Sequence, residues 1–283
     1  MNAVTRRGAV AAMVIATPVL VGIGYSAAAA VGLAGPAATG FSLARIVRVL
    51  TEPAVWESVR WTAWVAVAST ALATLGAIVV ALTFRTEARG DRWARALALV
   101  PLPLPHLAAA VAGLLLLGQS GLLARIGAAI GLFHAPADLM PLVYDRAGIG
   151  LILTLAWKEL PFLALVAFAV LQVQSAQYEE VARSLGARAG QVAWRVTLPL
   201  LWRGLLPAIV AVLVFVAGAY EPAAVLAPSD PMPLAILTME RTTAADLARR
   251  GDAHVLVLLT LSFALLAAVL HEWARGRWER VDA

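Results

Sequence analysis

Glu180-Val181-Ala182-Arg183-Ser184-Leu185-Gly186, then nine residues, then Val196-Thr197-Leu198-Pro199, is the stretch that decides how this chain folds. It is polar and rich in arginine, yet it lies between two long apolar runs, Gly148–Leu171 and Leu205–Ala227. Gln177–Leu185 reads as a short helix with Val181, Ala182 and Leu185 on one face. Glu180 and Arg183 stand at the i, i+3 spacing that lets helical side chains touch. Gly186 is placed to stop that helix in a left-handed conformation. Ala189–Val196 reads as a second short helix. Pro199 breaks the approach to the next apolar run, because an interior proline removes a hydrogen bond and clashes with the turn before it. The expectation is a helix–Gly–helix elbow stiff enough to transmit a push. Small Ala182 would let a partner surface come close, and Glu180 would offer it a charge. The plainer alternative is a merely solvated loop, which gives no reason for Glu, Ala, Gly, Leu and Pro at these offsets.

Working outward, the surrounding chain reads as an integral membrane protein. Of its 283 residues 61% are hydrophobic and only 14% charged, and the mean hydropathy is +0.84. Soluble domains carry about 25% charged residues. A water-soluble core of this size has no room for so much apolar surface. A bilayer core of about 30 Å takes roughly 20 apolar residues to cross as a helix. About six runs qualify: Ala9–Leu33, Trp61–Phe84, Ala96–Gly118, Gly148–Leu171, Leu205–Ala227 and Ala253–Trp273. The expected fold class is therefore an all-α polytopic membrane protein, with residues 1–283 as one membrane domain and the elbow at about 172–204. No cysteine is present, which excludes a disulfide framework and thiolate chemistry.

The formal charge of +5 comes almost wholly from arginine and points to loop orientation rather than nucleic acid. With the N-terminus inside, 13 of the 22 basic residues fall in inner loops and 8 in outer ones, with Lys158 inside a span. That bias puts both termini and the Glu180 loop in the cytoplasm. Arg6-Arg7, the apolar run after them and Ser26-Ala27-Ala28-Ala29-Ala30 also have the outline of a cleavable signal peptide. Cleavage would leave five spans and set the elbow and the C-terminal tail at odds in parity. On the outer side Ser42–Arg60 and Gly121–Phe133 have near-helical apolar spacing and read as surface caps, the second short enough to be interfacial or re-entrant. Trp56, Trp61, Trp93, Trp202 and Trp273 fall near predicted interfaces, as anchors do.

The elbow's spacing resembles the EAA loop of type I binding-protein-dependent ABC importer permeases: Glu-Ala-Ala, three residues, Gly, nine residues, apolar-x-Leu-Pro. Every offset matches, with Val181 where the family usually has Ala. Trp157-Lys158-Glu159-Leu160-Pro161-Phe162, Gly218-Ala219-Tyr220-Glu221-Pro222 and Arg183-Ser184-Leu185-Gly186-Ala187 look like the polyamine, iron and thiamine branch. The resemblance implies a bacterial inner-membrane permease that forms the path for a small solute, such as a polyamine, a metal complex or another small charged metabolite. It implies a solute-binding protein outside, a second permease alongside, identical or homologous, and two ATPase subunits below. Glu180, Ala182, Arg183, Leu185, Gly186, Ala187, Leu198 and Pro199 would couple to those ATPases. ATP and Mg would sit on the ATPase subunits, and this chain would bind no cofactor of its own.

Lys158 and Glu159 near the middle of a span are costly there and count as functional candidates by default. Pro161 frees the carbonyl of Trp157, so a polar-lined kink is expected. Lys158, Glu159, Pro161, Tyr220 and Glu221 are the candidates for the translocation path; charges satisfied against another helix, or a span end meeting water, are the plainer alternatives. His106, after Pro101, Pro103 and Pro105, reads as a hydrogen-bonded structural residue. The only lysine is flanked by Trp157 and Glu159, so no phosphate-binding P-loop exists and the chain is expected not to be an enzyme. No metal-ligand spacing and no nucleophile elbow appear. A transporter driven by an ion gradient, using Lys158, Glu159 and Glu221 directly, is the alternative function; a membrane-embedded enzyme would lack any convergent catalytic set.

Overall fold

A computed structural model describes residues 3–35, 38–85 and 88–279, with side chains described for 12–35, 38–85, 88–173 and 177–277. Arg280 and the side chains of Arg6 and Arg7 lie outside these. Every regular element among the described residues is helical. Six stretches are long and apolar enough to cross a membrane: Ala12–Ala30, Pro53–Thr83, His106–Ala129, Ile149–Val173, Ala189–Ala217 and Leu247–Arg277. The number matches the expectation, and the ends shift for local reasons.

After α1 (Ala3–Ala30), the predicted outer helix Ser42–Arg60 is two pieces. α2 (Ala44–Thr51) stops at Glu52, which is extended, and Pro53 opens α3 (Pro53–Thr83). A residue before proline is driven from the helical region, while proline suits the first helical position. The expected third span, Ala96–Gly118, is also corrected. Pro101, Pro103 and Pro105 divide it into α4 (Arg89–Leu99) and α5 (His106–Leu117), and α6 (Leu122–Ala129) follows. α7 (Ile149–Val170) runs through Pro161 and unwinds into a wide π turn at Leu171–Ser175 before α8 (Ala176–Ser184).

The second half of the elbow departs from expectation as well. α9 (Ala189–Val192) leads through a π turn, Ala193–Thr197, directly into α10 (Leu198–Ala217). Pro199 therefore stands in the first turn of α10 rather than breaking the approach. Its missing N–H is absorbed by the wide turn, where the Leu198 N–H reaches back to the Ala193 carbonyl. α10 ends at Gly218, so the expected Leu205–Ala227 span is replaced by α10 and a separate α11 (Tyr220–Leu226). α12 (Leu234–Thr243) and α13 (Leu247–Glu279) are the last described elements.

The most extensive packing is α3 against α7, with α10 beside both and α5 and α11 on the flank. Lipid tails are as apolar as leucine, so close packing of small residues has to hold such helices together. Ser69, Ala73, Ala77 and Ala81, spaced four apart on α3, are all at most 1% exposed, and Leu155, Leu163, Ala164 and Ala167 of α7 join them in the core. Ser69 and Thr154 satisfy their hydroxyls on the carbonyl four residues back, on Val65 at 2.6 Å and on Gly150 at 2.7 Å. Opposite Thr154, a Cβ on Gly113 would lie 2.4 Å from the threonine hydroxyl, so α5 approaches α7 only because that residue is glycine. A second core gathers the end of α1, α2, the start of α3, α12 and α13 around Val49, Val55, Leu237 and Leu256. Arg241 to Glu52 and Arg48 to Asp252 bind its elements together.

Candidate functional site

The elbow sits at the opposite end of α3 from that second core. Gly186 has φ +85, and the Ala187 N–H donates to the Ala182 carbonyl at 3.0 Å, closing α8 as the sequence predicts. Beyond the turn, the Arg188 N–H donates to the Gln191 side chain at 2.9 Å and starts α9.

One face of the elbow is apolar and bare. Tyr178, Val181 and Leu185 follow helical spacing along α8 and are 59%, 59% and 83% exposed, and Trp194 is 73% exposed. Glu180 and Arg183 are also exposed, Ala182 and Ala187 partly so. Leu198 is half-buried and Pro199 exposed at the mouth of α10. The coupling candidates thus gather on one structural unit.

The charge pairing differs from expectation. Arg183 does not engage Glu180; its Nη2 donates to Glu179 Oε2 at 2.9 Å, one helical turn back. Glu179 is buried, whereas Glu180 faces outward. Glu179 Oε1 also accepts from Arg85 Nη1 at 2.8 Å, just past the end of α3, and from Thr197 Oγ1 at 2.7 Å, at the entry to α10. Sequence reading missed Glu179, Arg85 and Thr197 because 94 and 18 residues separate the partners from Glu179. The only local signal was the i, i+4 offset between Glu179 and Arg183.

The membrane-embedded candidates divide. Lys158, Glu159 and Pro161 are buried within the subunit. Glu159 Oε1 lies 2.8 Å from His106 Nε2, and Lys158 Nζ donates to the Leu102 carbonyl at 3.4 Å. Both contacts hold the Pro-rich break between α4 and α5 onto α7, and the His106 ring rests 4.7 Å from that of Phe215 on α10. His106 is the hydrogen-bonded residue the sequence reading expects. The face α7 leaves open carries Leu153, Trp157 and Leu165 instead. Tyr220 and Glu221 stand exposed in the first turn of α11, which packs beside α5.

Residues 72–280 match the family described as "Binding-protein-dependent transport system inner membrane component". The chain is 32% identical over 222 residues to the inner membrane ABC transporter permease protein YnjC of Escherichia coli, covering 76% of this chain and 42% of YnjC. It is 34% identical over 157 residues to the molybdenum transport system permease protein ModB of Mycobacterium tuberculosis, covering 55% of this chain and 56% of ModB. To the sulfate transport system permease protein CysW of Synechocystis it is 31% identical over 194 residues, covering 65% and 66%. It spans about half the length of the first two relatives. A solved bacterial ABC transporter involved in import of the acidic polysaccharide alginate superimposes with a TM-score of 0.73 at 16% identity, covering 97% of each chain, which is a likeness of fold. With the elbow's spacing, the six spans and this match over most of its length, the chain belongs to the family of binding-protein-dependent inner-membrane transport components, the ABC importer permeases.

Proposed function

We propose that this chain is the membrane-spanning subunit of an ATP-driven importer, with its elbow in the cytoplasm as the seat of an ATPase. The observation that carries this is the bare apolar face of Tyr178, Val181, Leu185 and Trp194, edged by Glu180, on an elbow at the end of the spans. An exposed cluster of this kind marks a surface that a partner covers. Two ATPase subunits would dock there, and ATP and Mg would reside on them. A second permease, identical or homologous, would cover the open stripe of Leu153, Trp157 and Leu165. A binding protein would deliver solute at the face where α11 presents Tyr220 and Glu221.

In this reading, ATP closes the ATPase pair, the elbow is carried along, and the spans rock from inward-open to outward-open. The shift is driven by differential contacts in the two states. The cargo is a small charged solute. ModB and CysW, named for molybdenum and sulfate, make a small oxyanion the first to test, ahead of polyamines and metal complexes. An ion-gradient mechanism is less well supported, because Lys158 and Glu159 are buried within the subunit and engaged there by Leu102 and His106.

The test is purification of the tagged chain in mild detergent with mass spectrometry of what accompanies it. An ATPase and a permease are expected with the native chain, and the ATPase is lost from Glu180→Lys with Gly186→Pro while membrane insertion persists. A homo-oligomer without ATPase, under conditions that keep known importers intact, would overturn the reading.

A further inference from the structure

We propose that Glu179, not Glu180, is the residue through which the elbow moves the spans. This rests on the elbow being the ATPase seat. The two neighbouring glutamates point about 100° apart around the helix and have opposite surroundings. Glu180 is open to a partner, while Glu179 is 6% exposed and each of its oxygens is engaged from within the subunit.

The elements it joins make it a transmission point. α8 packs against α9 and the two π turns, but among the described residues it has no extended contact with α3 or α10. The Glu179 carboxylate reaches both spans, to Arg85 after α3 and to Thr197 before α10. Arg183 on α8 braces the same carboxylate from the second oxygen. Hydrogen bonds to a charged, buried group are the strong kind. A load applied to Tyr178, Val181 and Leu185 therefore reaches α3 and α10 through this knot.

The π turns give the knot something to oppose. They lie on either side of the elbow, at Leu171–Ser175 and Ala193–Thr197, and touch each other. Wide turns of this type are short and frequently mark functional sites, where a helix changes register at small cost. Without the knot, α8 and α9 would swing on these turns and leave the spans behind. With it, one end of α3 and the entry of α10 follow α8. Glu179 is thus a positioning residue: it touches no ATP, and it acts by fixing α8 to two spans.

The experiment uses the whole complex in liposomes with Mg-ATP as the probe. The chain lacks cysteine, so a cysteine placed at Tyr220, 43% exposed on α11, reports the far face. In the native chain, Mg-ATP with vanadate changes the rate at which that cysteine reacts with maleimide. In Glu179→Gln the ATPase subunits still co-purify and hydrolyse ATP, but the response at position 220 falls roughly tenfold, the scale set by losing a charge-assisted bond. Glu179→Asp restores part of it. A native-like response in Glu179→Gln would overturn the inference, as would loss of the ATPase from a folded Glu179→Gln chain, which would make Glu179 a docking residue. If Glu179→Gln does not fold, Thr197→Val removes a single donor and is read in the same way. A native chain that brings down no ATPase would overturn the elbow reading and this inference with it.

Discussion

At the scale of single residues, one position along a helix separates two environments. Glu179 and Glu180 are alike in chemistry, but helical geometry turns them by about 100°, and only Glu179 reaches Arg85 and Thr197. Val181, the departure from the family pattern, is 59% exposed, so its extra methyl groups meet no wall inside this chain. Gly113 is the reverse case, a position set entirely by its neighbour. Gly113→Ala should lower stability by about 1–3 kcal/mol, the usual cost of overpacking, seen as a lower unfolding midpoint in detergent. Thr154→Ala should remove most of that penalty when combined with it, since the clash is with the Thr154 side chain. Additive losses in the double variant would show that the contact is not the cause.

At the scale of elements, prolines decide where helices stop and what must hold the breaks. Pro53 starts α3, and Pro199 is accommodated by a π turn at the entry of α10. Pro101, Pro103 and Pro105 open a break closed by tight turns, with the Leu102 N–H on the Leu99 carbonyl at 3.0 Å and the Leu104 N–H on the Pro101 carbonyl at 3.2 Å. Lys158 and Glu159 are the side chains that hold it, through Leu102 and His106. This explains why two charges persist in an apolar span without facing its open stripe. Glu159→Leu should release the break. A cysteine at Leu104, 37% exposed in the native fold, should then be alkylated roughly tenfold faster, the factor expected from losing about 1.5 kcal/mol of hydrogen bonding. An unchanged rate would mean that packing alone secures the break.

At the scale of the whole molecule, α3 connects two differently built ends. One end is an ion-paired core of α2, α12 and α13 held by Arg241 to Glu52 and Arg48 to Asp252. The other is the elbow, braced by Glu179. Between them lies the small-residue seam of α3 and α7. The arginine bias predicts that this axis stands with the elbow inward. Single cysteines at Leu185 and Met140, 83% and 59% exposed, test it directly. A membrane-impermeant maleimide added to intact cells should label position 140 and spare 185, and inverted vesicles stripped of bound ATPase should give the opposite pattern. Labelling of 185 from outside would reverse the topology and remove the elbow from the reach of any cytoplasmic ATPase.

Composition and apolar run length by themselves determined an all-helical membrane protein with six spans, because crossing a bilayer imposes a length and a polarity on each helix. The offsets from Glu180 to Pro199 determined the elbow and its left-handed stop at Gly186, since helix capping depends on neighbours in sequence. Only the tertiary structure decided which charges are structural. Glu179 is buried because Arg85 and Thr197 arrive from two other helices, and Lys158 is turned inward because a broken helix lies beside it. Such pairings join residues far apart along the chain, and no local pattern records them. The span ends were likewise settled in three dimensions: a proline limits a helix in the sequence, but whether it ends one, starts one or is absorbed in a wide turn depends on what packs around it.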